Sequence, residues 1–196
     1  MKRLEEADNE ATNVTKELKQ YSPPRSINVT TWTKPDAKSI VNALSPLVEN
    51  LWTPAIFHFA GHGISSARNP FASAIYLYDD RLDVSLLLRA RVWRVALVLA
   101  YLSACSTGTS TAGASDESVN IMTGFLTVGF MNVIGTLWEV DDTLSCGIAT
   151  QFYSHWVEQK LEPKLVAYGL QVAVAEVAVD NGISPEKWAC YVHTGV

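Results

Sequence analysis

Two short strings in the sequence each close an apolar run with one reactive side chain. The first is Phe57-His58-Phe59-Ala60-Gly61-His62-Gly63, the second Leu102-Ser103-Ala104-Cys105-Ser106-Thr107-Gly108. A cysteine attacks a carbonyl as its thiolate, and an imidazole within reach lowers the thiol pKa and carries the proton. Glycines on both sides of His62 let a substrate backbone approach closely. The backbone N–H groups of Gly63 and Cys105 are then candidates to hold a developing oxyanion. Blander readings stand beside this one. Cys105 also reads as a small buried thiol closing a core strand, and His62 as a turn histidine bonded to backbone. His58, inside the run, reads as a core or supporting histidine.

Such residues must be brought together by the elements that carry them. Leu4, Ala7, Ala11, Val14 and Leu18 recur at helical spacing and predict an amphipathic helix over 3–20, ended by Ser22-Pro23-Pro24. The β-branched and aromatic run 27–32 predicts a strand. Thr33 is a candidate cap for a second helix carrying Ile40, Val41, Leu44 and Val48. Residues 55–59 predict a short strand broken by Gly61-His62-Gly63. Residues 74–78 and 82–84 predict a hairpin, 86–90 a short helix, and 95–102 a strand buried on both faces. A small-residue loop over 106–115 is followed by a helix over 117–130, a strand over 133–138, helices over 142–159 and 165–179, and a last strand over 188–192. Strands alternating with helices imply an α/β domain with a mostly parallel sheet covered on both faces. In such sheets reactive groups gather beyond the carboxyl ends of the strands, where both strings end.

The bulk composition narrows the function classes. The chain has 196 residues, 48% of them apolar, which suits one compact domain, residues 1–196, with a full core. The net charge of −5 and the lack of a Lys/Arg cluster argue against nucleic acid or an anionic membrane as partner. No run is long enough to span a bilayer, and the start lacks the apolar stretch of a signal peptide. Three widely separated cysteines, Cys105, Cys146 and Cys190, suggest reduced thiols in the cytoplasm. No CxxC or HExxH string occurs, so no metal and no cofactor is expected.

Three motifs in order carry a resemblance. His-Phe-Ala-Gly-His-Gly, then Leu-Ser-Ala-Cys-Ser-Thr-Gly, then Val-Ile-Gly-Thr-Leu-Trp-Glu-Val-Asp-Asp resemble the CHAT family, which belongs with caspases, separases and gingipains. The hairpin over 74–84 between the first two motifs, Phe152-Tyr153 after the third, and the closing segment from Trp188 to Gly195 fit the same pattern. The Ser-Ala-Cys-Ser-Thr variant is similar to that of fungal members. The resemblance implies a caspase-like three-layer α/β/α sandwich and a cysteine endopeptidase. In that reading His62 is general base and acid, Cys105 the nucleophile and Gly63 an oxyanion donor. Separase-like relatives read a basic substrate side chain with an acidic residue in the third motif, a region held here by Glu139, Asp141 and Asp142. The implied partner is a polypeptide substrate. Family members usually end longer chains, so a separate regulatory or repeat-containing protein is a further expected partner. Calcium activation occurs in some relatives.

Other readings remain open. Glu139, Asp141 and Asp142 also suit the cap of the helix that follows them. The loop over 106–115 reads as a cleft-shaping flap, a surface loop or, without any P-loop string, a phosphate cradle for a nucleotide. Cys146 and Cys190 read as packing residues, His155 and His193 as surface or cap residues, and Trp138 as a packing anchor. A caspase-like interaction module without catalysis is the alternative to the peptidase, because a fold does not fix an activity.

Overall fold

The computed structural model describes residues 5–20, 28–44, 54–64, 69–89, 96–106 and 114–196. The sequence expectations for Ile27, Val48, Val95, the Ser22-Pro23-Pro24 stop and residues 107–113 of the small-residue loop lie outside them.

The apolar stripe of the first helix places α1 at Glu5–Gln20, with Val14 and Leu18 buried. Residues 28–32 are not a strand, contrary to the expectation. Their β propensity is not realised in a paired strand, and Trp32 is left 42% exposed. Helix α2 spans Ala37–Leu44, and its cap is Asp36 rather than Thr33. The Asp36 carboxylate accepts from the Ser39 N–H at 2.7 Å and from its hydroxyl at 3.1 Å. These bonds hold the Asp36 pKa below the usual aspartate value.

The strands are β1 (Ala55–Ile64), β2 (Ala74–Tyr76), β3 (Arg81–Asp83), β4 (Leu97–Ser106), β5 (Asn132–Thr136) and β6 (Tyr191–Gly195). They form one sheet in the order β3-β2-β1-β4-β5-β6. The three central strands, β1, β4 and β5, run parallel, and β2, β3 and β6 are antiparallel to their neighbours. Strand β6 begins at Tyr191, later than the expected 188. The Trp188 indole N–H donates to the Ile183 carbonyl at 2.9 Å, and its backbone N–H to Pro185, which keeps it in the preceding turn.

Helices cover both faces. On one lie α2, α3 (Val84–Arg89) and α4 (Ala114–Val128), packed on Phe57, Ala100, Leu102 and Val133. On the other lie α1, α5 (Asp142–Glu158) and α6 (Val166–Val174), packed on Leu99, Tyr101 and Ile134. The expected helix over 165–179 is α6 continued by a wider π turn, Ala175–Val179. The second layer is rich in rings. Tyr101, Phe152, Tyr153 and Trp156 form a chain with centroids 5.0–6.3 Å apart. Such pairs contribute about 0.5–1.5 kcal/mol each beyond their burial. The Trp156 indole N–H donates to the Glu162 carbonyl at 2.9 Å, so its one polar atom is satisfied.

Candidate active site

The two reactive strings end on neighbouring strands. β1 and β4 pair in parallel along most of their length, with His58 opposite Tyr101, Ala60 opposite Ser103 and His62 opposite Cys105. The glycines around His62 do not break β1 as expected. The ladder with β4 runs on to Gly63 and Ser106 and supplies the backbone partners that a turn would otherwise need. His62 and Cys105 therefore occupy one rung at the carboxyl ends of two central parallel strands, where open α/β sheets bind ligands. His62 is half-buried, and its Nδ1 is buried without a hydrogen-bond partner. An orphaned buried ring nitrogen costs free energy, and a catalytic role is one reason for a protein to keep it.

The acidic residues of the third motif separate. Asp141 is exposed and caps α5, its carboxylate accepting from the backbone N–H groups of Thr143 and Leu144 at 3.1 Å each. Glu139 is exposed. Asp142 is half-buried and lines a small cleft of about 20 Å³ with Glu6, Ala7, Glu10, Ala60, Gly61, Ser103 and Ser145. Burial raises the Asp142 pKa, the charges of Asp141, Glu139 and Glu10 raise it further, and nearby His62 opposes them. Of the three, Asp142 alone lines this cleft beside the His62 strand.

Beneath that rung lies a buried polar cluster. Glu10 of α1 is only 3% exposed. One of its oxygens faces His58 Nε2 at 3.0 Å, off the in-line direction of a good hydrogen bond. Its other oxygen accepts from the Ser103 hydroxyl at 3.0 Å, and Ser103 meets the Ser145 hydroxyl of α5 at 2.7 Å. His58 Nδ1 meets the Tyr153 hydroxyl at 3.3 Å. Burial raises the Tyr153 pKa well above its ordinary value, so its phenol stays protonated and can donate. Sequence reasoning missed Glu10, Ser103 and Ser145. A signal was present for Glu10: a carboxylate three residues after Ala7 and four before Val14 sits in the apolar stripe of α1.

The remaining candidates do other work. Cys146 and Cys190 are buried, as read. Burial raises the Cys146 pKa, with the Glu10 charge adding to it, which makes that thiol a poor nucleophile. His155 faces Glu176 at 2.7 Å, tying α5 to the π turn. His193 is no cap: it lies on β6 and meets the Asn132 side-chain oxygen at 2.8 Å, and burial lowers its pKa. Trp138 is 38% exposed, and its indole N–H donates to the Glu186 carbonyl at 2.9 Å, so it pins a turn rather than filling the core. Among the described residues, no group of three or more His, Cys, Asp and Glu could hold a metal ion, and no helix is long and apolar enough to cross a membrane.

A six-stranded sheet, parallel at its centre and sheathed by helices on both faces, is the sandwich of caspase-like proteins. The chain belongs to the CHAT domain family, a family related to caspase-like cysteine peptidases; the family's model matches residues 1–196, the whole chain. No curated protein matches it.

Proposed function

We propose that the chain is a cysteine endopeptidase domain that cleaves polypeptides through a His62–Cys105 dyad. The observation that carries this reading is the shared rung of His62 and Cys105 at the carboxyl ends of β1 and β4. The orphaned His62 Nδ1 and the family membership support it.

In the proposed cycle, His62 takes the proton of the Cys105 thiol as sulfur bonds to the scissile carbonyl carbon. The family resemblance assigns the oxyanion to the N–H groups of Gly63 and Cys105. The C–N bond breaks as protonated His62 gives its proton to the leaving amine, which departs and leaves a thioester. Water then attacks the thioester while His62 accepts its proton, and the carboxylic acid and the thiol are released. Asp142, which lines the cleft, is the acidic residue we assign to a basic substrate side chain; Glu139 is exposed and Asp141 is engaged in its cap. The substrate is an extended polypeptide segment, the setting regulated proteolysis in a reducing compartment, and a separate regulatory or repeat-containing protein is the expected partner.

The test is covalent labelling by peptidyl acyloxymethyl ketones that differ in their terminal residue, with the adduct located by mass spectrometry. Wild type, Cys105→Ala and His62→Ala are run together. Labelling confined to Cys105 and dependent on His62 is expected, with preference for a basic terminal residue. Labelling of Cys146 and Cys190 equal to that of Cys105, indifferent to His62, sinks the dyad and leaves an interaction module.

A further inference from the structure

We propose that Glu10 is a positioning residue for the site: its buried carboxylate ties together the three elements that carry His62, Cys105 and Asp142. This rests on the peptidase reading for its catalytic meaning. The structural part stands on the geometry alone.

Glu10 reaches β1 through His58, at 3.0 Å. It reaches β4 through Ser103, at 3.0 Å, and α5 through Ser145, which meets Ser103 at 2.7 Å. Each contact lies close below the site in sequence. His58 is four residues before His62, Ser103 is two before Cys105, and Ser145 is three after Asp142. The donors and acceptors run in one consistent direction. The Tyr153 hydroxyl donates to His58 Nδ1, His58 Nε2–H points toward Glu10, and Ser145 donates to Ser103, whose own proton goes to Glu10. The carboxylate accepts from the Ser103 hydroxyl on one side and faces the off-line His58 ring nitrogen at ion-pair distance on the other, and a buried polar cluster of this kind restrains the strands it joins. A helix held to the sheet by apolar contacts alone needs no such group, so a carboxylate in the buried stripe of α1 calls for a second purpose.

The experiment compares wild type with Glu10→Met, Glu10→Gln and Ser103→Ala. Methionine keeps the length of the side chain and removes both oxygen contacts. Glutamine keeps them, its oxygen accepting from Ser103 and its NH₂ donating to the other tautomer of His58. Two readouts are taken: Cys105 labelling against probe concentration, and amide hydrogen exchange along β1 and β4. Glu10→Met is expected to lower the maximal labelling rate by about tenfold or more while leaving the half-saturating concentration in place, as a small misplacement of reacting groups does. Exchange at residues 58–63 and 102–106 is expected to rise about tenfold, with 133–135 on β5 unmoved. Glu10→Gln is expected to restore most of the rate. Ser103→Ala severs the β4 and α5 ties alone and carries the same test should Glu10→Met not fold. Wild-type labelling and exchange in both Glu10→Met and Ser103→Ala overturn the proposal, as does exchange that rises evenly across the sheet. If wild type itself takes no label but the local exchange pattern appears, the dyad reading falls and the role of Glu10 in fixing the strand ends stands.

Discussion

The cap of α5 offers a sharp test, because one side chain there does two separable things. Asp141 accepts two backbone N–H bonds at 3.1 Å each, and its charge also presses on Asp142. Removing a cap of this type costs about 1 kcal/mol, and at most about 2. The charge at the helix N-terminus adds roughly 0.3 kcal/mol at an exposed position. For a domain of this size each kcal/mol moves the melting temperature by about 2–4 °C. Asp141→Ala is therefore expected to lower the Tm by about 3–8 °C. Asp141→Asn keeps the acceptor oxygen and loses only the charge, so its Tm falls by about 1 °C. Both variants take one negative charge away from Asp142, whose carboxyl is held above the ordinary aspartate value first by burial and next by Asp141. Its titration midpoint, read by carboxyl carbon NMR, is expected to move down in both. The sign of the linkage follows. With its folded pKa raised, Asp142 contributes stability that is full below the unfolded aspartate value and is lost as pH rises through the folded one. Wild type should therefore gain on Asp142→Asn as pH falls through that window. An Asp141→Asn protein that melts as low as Asp141→Ala, or an Asp142 midpoint that stays put in both, refutes the reasoning.

Four more outcomes can be checked by denaturation. Tyr153→Phe deletes the hydroxyl that meets His58 and is expected to cost about 1 kcal/mol. Tyr101→Phe removes a buried hydroxyl without a hydrogen-bond partner and is expected to be neutral or stabilising; equal losses for the two would contradict this. Gly124 lies where α4 meets α3, and a Cβ there would sit 2.6 Å and 2.9 Å from the two methyls of fully buried Val84. Gly124→Ala is expected to cost about 1–3 kcal/mol by overpacking despite its better helix propensity, and Val84→Ala in the same chain should recover part of it. Finally, hydrogen bonds from His155 and Gln151 hold the Glu176 pKa below the usual glutamate value. That contribution is present above the unfolded value and lost as pH falls through the folded one, so Glu176→Gln should differ from wild type at neutral pH and converge with it in acid.

The layer architecture was readable because it follows from periodicity. The stripes of α1 and α5, the continuous apolar runs of β1 and β4 and the order of the elements all report which faces are buried. The misreadings have one physical origin: ladder partners are not written locally. Residues 28–32 have strand chemistry but no strand beside them, and Gly61-His62-Gly63 has turn chemistry but a parallel neighbour that keeps it extended. Choosing among the acids of the third motif needed three dimensions for the same reason. Asp141 and Asp142 are adjacent and alike in sequence, and only the start of α5 gives one the cap and the other the cleft. The Glu10 cluster joins residues 93 and 42 positions apart along the chain through Ser103, a relation that no spacing rule can reach.

One irregularity in the sheet has a consequence for how the sequence can change. Between Ala55 and Ile56 the β1–β4 pairing jumps from Leu97 to Leu99, skipping Val98. Val98 and Leu99 consequently pack on the same side, after which strict alternation resumes through Ala100, Tyr101 and Leu102. The entry of β4 thus holds one surplus residue and acts as a phase buffer. Losing Val98 would remove the surplus and leave Leu97 and every later residue on its present face, whereas losing any single residue from 100 to 102 would swap inside for outside at the end that carries Cys105. Length variation has a harmless place to accumulate at one end of this strand and none at the other.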